Sequence, residues 1–121
     1  MKKILVADDE DVLRMLIVDT LEDDEYEIEE AENGSEALEM ALAKEYDLLI
    51  VDYMMPGYNG VEVLSHLKEQ GRLTQMKSLM LTAKSQESDR ESALKAGATD
   101  FLTKPFSPAL LVSVVEDLLD D

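Results

Sequence analysis

Four apolar residues, Leu48-Leu49-Ile50-Val51, followed at once by Asp52, constrain this chain more than any other stretch. A short run of branched apolar side chains suits a strand buried on both faces, as in a parallel sheet covered by helices. The run stops at a carboxylate, and Pro56 and Gly57 in the following loop (Tyr53 to Gly60) prevent its continuation. A carboxylate at the carboxyl end of a buried strand stands where open α/β sheets build their sites. Asp52 is therefore the first candidate for a working residue.

The rest of the chain repeats this pattern. Lys3 to Ala7 reads as a first strand, apolar on both faces and ending in Asp8, Asp9 and Glu10. Those acids suit the amino end of a helix, where a cap and the helix dipole favour carboxylates. Leu13, Leu16, Ile17 and Leu21 give that helix its apolar spacing. Tyr26 to Ala31 alternates apolar with acidic residues, which marks a half-exposed edge strand. Asn33-Gly34 reads as a turn, before a second helix that buries Ala37, Leu38, Ala41 and Leu42.

After the third strand, Val61, Leu64 and Leu67 mark a third helix ending before Gly71, and Ser78 to Thr82 reads as a fourth strand. Ser85 suits the N-cap of a fourth helix running to about Ala96, with Gly97 as its stop. Leu94 is the one large apolar residue there, beside Ala93 and Ala96, so this helix is expected to bury little and be loosely held. Asp100 to Thr103 is the last strand. Ser107 and Pro108, an N-cap followed by Pro at the first helical position, open a helix that buries Leu111, Val114, Val115 and Leu118. Strict alternation predicts a doubly wound five-stranded parallel sheet with five helices, and right-handed crossovers favour the order 2-1-3-4-5. In that order Asp8, Asp9 and Asp52 meet at one edge of the sheet.

Composition narrows the function. At 121 residues the chain is expected to form one domain, residues 1–121, large enough for a core of its own. It has no cysteine, which excludes disulfides and thiolate metal sites. Its apolar runs fall short of the roughly 20 residues of a membrane span, and Asp8 interrupts the start before a secretory signal can form. A cytoplasmic location is the simplest inference. The net charge of −17 repels nucleic acid and anionic membrane and attracts cations. The acids of Glu22-Asp23-Asp24-Glu25 and those up to Glu32 read as a solvated face.

Three carboxylates in one cleft do not all stay ionised without a cation. Oxygen ligands with no histidine or cysteine beside them select a hard ion, Mg²⁺ before Ca²⁺, because the stretch from Asp9 lacks the Gly and closing Glu of a calcium loop. Thr82 and Lys104 end the other two strands at the same rim. A hydroxyl and an ammonium beside a cation-bound carboxylate suit the holding of a phosphoryl group: Asp52 as nucleophile, Lys104 pairing with a phosphoryl oxygen and Thr82 donating a hydrogen bond.

The set Asp8-Asp9, Asp52 with Met55-Pro56 and Gly60, Thr82-Ala83 and Lys104-Pro105-Phe106 resembles the receiver domain of two-component response regulators, over essentially the whole chain. The resemblance implies a flavodoxin-like fold and phosphorylation of Asp52 from a phosphohistidine of a sensor histidine kinase or phosphotransfer protein. It implies Mg²⁺ held by Asp9, Asp52 and the backbone carbonyl of Met54, with Asp8 acting through water, and a cis Lys104-Pro105 peptide. It also implies a switch in which Thr82 moves toward the phosphoryl group and Phe101 turns inward behind it. The face of the fourth helix, last strand and last helix then meets a downstream protein or effector domain. A resting monomer is expected, with a dimer on activation left open. Phe101 lacks the hydroxyl of the commoner Tyr, Asn59 replaces a common Asp, and Met54 and Lys84 occupy positions that tune phosphoryl lifetime.

The rivals fit less well. A haloacid-dehalogenase-type phosphatase carries a second Asp two residues after its nucleophile, where this chain has Met54, which transfers no proton. A cofactor-binding flavodoxin needs Gly and backbone N–H groups after the first strand, where this chain is acidic. A receiver that only scaffolds and is never phosphorylated stays open. His66, the one histidine, lies among Leu64, Leu67 and Lys68 on a short helix, and reads as a surface or partly packed residue and no phosphodonor. The expectation is a signalling module, not an enzyme. The sequence reaches Asp120-Asp121 directly after the last helix, which fits either a stand-alone receiver or part of a larger regulator.

Overall fold

The computed structural model describes residues 1–22, 25–83 and 87–120. Strands β1 (Lys2–Ala7), β2 (Tyr26–Ala31), β3 (Leu48–Asp52), β4 (Lys77–Thr82) and β5 (Asp100–Thr103) alternate with helices α1 (Asp11–Leu21), α2 (Gly34–Ala43), α3 (Gly60–Glu69), α4 (Glu87–Ala96) and α5 (Pro108–Leu119). The sheet has the expected order β2-β1-β3-β4-β5, and every pairing is parallel. A short 3₁₀ turn, Arg72–Thr74, lies between α3 and β4 and had no counterpart in the sequence reading.

Strand parity sorts the core into two layers. Ile4, Val6, Leu48, Ile50, Leu79 and Leu81 pack with Ile17 and Leu21 of α1 and with Leu111, Val115 and Leu118 of α5. Leu5, Ala7, Leu49, Val51 and Met80 pack with residues of α2, α3 and α4 on the other face. Because both faces are covered, β3 is buried at all five positions, and full burial of a side chain such as Ile50 contributes about 1.5–3 kcal/mol. β2 lies at the open edge, where its acids discourage pairing with another chain.

The apolar spacing of the helices was legible, with exceptions. On α1, Ile17 and Leu21 are buried but Leu16 is exposed, and Arg14 is buried instead. On α4, Ala93 and Ala96 are buried while Leu94 is exposed, so among the described side chains the helix buries only small apolar ones. The expected Ser85 cap, Lys84 and the acids Asp23 and Asp24 lie outside the described residues. Asn59, read only as a departure from Asp, caps α3: its side chain accepts from the Glu62 N–H, and Glu62 accepts from the Asn59 N–H. Ser107 caps α5 as expected.

Gly34 is not a turn residue. Asn33 is the N-cap of α2, and Gly34 is the first helical residue, packed against the loop that follows β3. Its N–H donates to the Pro56 carbonyl at 3.2 Å, and a Cβ there would lie 1.7 Å from the Tyr58 carbonyl oxygen. Gly71, by contrast, has open space around it but a φ of 71°. Gly34→Ala is expected to lose more than about 2 kcal/mol of stability, because backbone must move. Gly71→Ala should lose about 1 kcal/mol from strain alone. Urea midpoints of the two variants test the ranking.

Candidate functional site

Register sets the site. Ala7 pairs with Val51, so Asp8 and Asp52, the next residues on neighbouring strands, stand level at the carboxyl edge. Thr82 pairs with Thr103, which brings Lys104 just past the end of β4. The Lys104 N–H donates to the Thr82 carbonyl at 2.7 Å, and the Lys104–Pro105 peptide is cis. Since β5 lies two strands from β3, the ammonium has to cross roughly 9–10 Å of sheet, and a lysine stem can do so. It reaches Asp52 Oδ2 at 2.9 Å, with Glu10 Oε1 at 3.5 Å and Asp8 Oδ2 at 3.7 Å.

Asp8 and Asp52 are both buried, at 0% and 4% exposure. Burial raises the Asp52 pKa above the ordinary value and the charge of Asp9 adds to the rise; the Lys104 hydrogen bond and charge and the Met54 N–H oppose it. Burial also pushes Asp8 up to about 6, reinforced by the negative charge of Asp52, while the Glu10 N–H on Asp8 Oδ1 (2.8 Å) pulls the other way. For Lys104, burial works against the charge, but hydrogen bonding to Asp52 and the surrounding carboxylates outweigh it and raise its pKa. One ammonium thus faces three carboxylates.

Asp8, Glu10 and Asp52 offer oxygens that lie within 4.8 Å of one another. Asp8 Oδ2 is buried and lacks a hydrogen-bond partner. An orphaned carboxylate oxygen in an oxygen-only cluster fits a small hard cation, which would satisfy it and offset the like charges. The residues therefore suit Mg²⁺. Glu10 belongs to this gathered cluster; Asp9 is exposed, and its charge acts on Asp52. Glu10 was read only as a helix-start acid, and its alternation with Asp8 was the signal that both share a side.

Thr82 is buried at the end of β4. Phe101, opposite Met80 in β5, is half-buried, with the Arg90 guanidinium 5.4 Å from its ring centre. The Met54 side chain is exposed. His66 is exposed and sits edge-on to Tyr58, 5.0 Å between ring centres, away from the carboxylates. Arg14, which no sequence signal singles out, reaches the Asp8 carbonyl at 2.7 Å.

An open parallel sheet with carboxylates and a lysine converging on its carboxyl edge is the architecture of a signalling receiver. The response regulator receiver domain family matches residues 4–116, and this chain belongs to it. The transcriptional regulatory protein ResD of Bacillus subtilis is 45% identical over 117 residues, covering 97% of this chain and 48% of that protein. SrrA of Staphylococcus aureus, also a transcriptional regulatory protein, is 41% identical over 117 residues, covering 97% and 47% respectively. The chain thus spans about half the length of these curated relatives. Among solved structures, the Francisella response regulator 1452 receiver domain superposes with a TM-score of 0.90 at 33% identity, covering 98% of this chain and 96% of that one. The response regulator TrrA of Thermotoga maritima, in complex with Mg(2+)-BeF, gives 0.85 at 38% identity, covering 98% and 100%. No helix among the described residues is long and apolar enough to cross a membrane.

The raised Asp8 pKa has a consequence for stability. The unfolded chain releases that proton near 3.8 and the folded chain near 6, so between these values the native state binds more protons. Stability therefore falls as pH rises through this window, and above it the charged Asp8 costs about 2–3 kcal/mol. Asp8→Asn is expected to stabilise the cation-free protein by about 2 kcal/mol at pH 7.5, the gain vanishing below about pH 4. Urea unfolding with a chelator at both pH values reads it, and a loss at pH 7.5 would contradict the assignment.

Proposed function

We propose that this chain is the phosphoacceptor receiver of a two-component relay, with Asp52 taking a phosphoryl group from a phosphohistidine on a sensor histidine kinase or phosphotransfer protein. The observation that carries this reading is the 2.9 Å contact of Lys104 with the strand-end carboxylate of Asp52, beside the orphaned oxygen of Asp8. Asp8, Asp9 and Asp52 and the Met54 carbonyl would hold Mg²⁺, with Glu10 at the same cluster. The ion supplies charge neutralisation at the phosphoryl oxygens when bound.

The chain's own residues do the rest. An oxygen of Asp52 attacks phosphorus, the bond from phosphorus to the donor imidazole breaks, and the imidazole leaves with its electron pair. Lys104 is already at Asp52, so its ammonium follows the new negative charge without crossing solvent, and positioning of this kind accounts for most catalysis of phosphoryl transfer. Loss of the Asp52 charge loosens its ion pair with Lys104. Thr82, at the end of β4, turns its hydroxyl to the phosphoryl group, and Phe101 moves inward behind it. The face built by α4, β5 and α5 changes shape and meets the next protein or effector domain. The thin footing of α4, on Ala93 and Ala96, supports this assignment, since an element that buries little shifts at small cost. With a net charge of −17, the chain is suited to the input half of a regulator and not to contacting DNA itself.

Intact mass after incubation with acetyl phosphate and Mg²⁺ should show a labile gain of one phosphoryl group, absent with a chelator and absent in Asp52→Asn. If the variant gains the same mass, Asp52 is not the acceptor. No gain by either chain returns the reading to a scaffolding receiver, provided phosphorylated kinase also fails. Lys104→Ala should accept phosphate yet leave the Phe101 resonances unmoved by it; full shifts there would remove Lys104 from the switch.

A further inference from the structure

Arg14 is a cation buried to 8% exposure on a helix, an arrangement that proteins tolerate only when the charge is fully partnered. Its fork is spent on three elements. Nη1 donates to the Asp8 carbonyl at 2.7 Å, Nη2 to Asp11 Oδ1 at 2.7 Å, and Nε to Glu30 Oε1 of β2 at 3.0 Å, with Glu32 Oε1 at 3.7 Å. The first of these bonds is the unusual one. It ties the backbone of Asp8, the residue whose buried Oδ2 lies in the carboxylate cluster without a hydrogen bond. The same short segment carries Glu10 into that cluster and is bridged to Asp8 by the Glu10 N–H. Asp8, Asp9, Glu10 and Asp11 repel one another and Asp52, so the segment moves outward unless something holds it. Strand pairing of β1 ends at Ala7; beyond it the Asp8 N–H still donates to the Ala31 carbonyl at 3.2 Å, and the Asp8 carbonyl is held by Arg14.

We infer that Arg14 is a positioning residue for divalent cation binding: by clamping the Asp8 carbonyl to α1 and β2, it keeps the Asp8 and Glu10 carboxylates turned to Asp52. The inference rests on the cation site proposed above. Coulomb's law and positioning give it opposite signs, which makes it decidable. Removing a positive charge near a cation site tightens cation binding by charge alone, whereas removing a clamp loosens it. An ammonium keeps the charge but cannot present a planar fork to three acceptors at once.

Mn²⁺ serves as the probe, its affinity measured on the full chain by electron paramagnetic resonance of the free ion. Circular dichroism and urea unfolding establish that each variant is folded at the conditions used. Arg14→Gln is expected to bind Mn²⁺ about tenfold more weakly than the wild type, a typical loss when the partner that orients a ligand is removed. Arg14→Lys, the variant that retains the charge and the better prospect of folding, should be weakened nearly as much. Millimolar guanidinium, at which the wild type is unaffected, should restore part of the affinity to Arg14→Ala, where equal ammonium does not. Unchanged or tighter Mn²⁺ binding in folded Arg14→Gln, or full affinity in Arg14→Lys, would overturn the clamp while leaving the cation site intact. A wild-type chain that binds no Mn²⁺, or binds it equally well as Asp52→Asn, overturns the site and the clamp together.

Discussion

Crowding of like charge at the carboxyl edge of the sheet governs this structure. Asp8 and Asp52 are buried side by side, with Glu10 beside them, and Lys104 is the ammonium that reaches all three. Without a counter-charge, such a cluster would take up protons or unfold; with one ammonium it persists, and Asp8 keeps its proton to higher pH than a free carboxyl group. A site left short of positive charge fits a divalent ion, the basis of the function proposed for it.

The scaffold exists to hold that imbalance still. Five parallel strands in register deliver their ends to one edge, so residues far apart in the chain become neighbours without a loop having to carry them. Packing is uneven around this frame. α1 and α5 bury Ile17, Leu21, Leu111, Val115 and Leu118 against one face, whereas α4 rests on Ala93 and Ala96. A firmly packed side beside a thinly packed one is the arrangement the proposed switch would use.

Much of the fold was legible because its signals are local. Burial on both faces wrote continuous apolar runs for β1, β3 and β4, and the alternation of β2 marked it as the edge. Local signals also misled where a residue answers to a distant one. Leu16 and Leu94 are large apolar residues of their helices yet are exposed in the fold. Gly34 looked like a turn but is small to admit the Tyr58 carbonyl, contributed by a loop more than twenty residues away. The capping box of Asn59 and Glu62 was within reach of the sequence and was passed over in favour of the comparison with Asp.

What the sequence determined alone is the sheet order, the strand-end acids and the lysine that completes them, since each depends on periodicity or on where a run stops. The tertiary structure decided which acids meet. Glu10 joined Asp8 and Asp52 in one cluster, and Arg14 is buried with its guanidinium on the Asp8 carbonyl and is not a surface charge. Side-chain direction just past a strand, and the partners a buried cation finds, depend on backbone geometry and on segments remote in the chain. Periodicity says nothing about either, so only the folded arrangement could settle them.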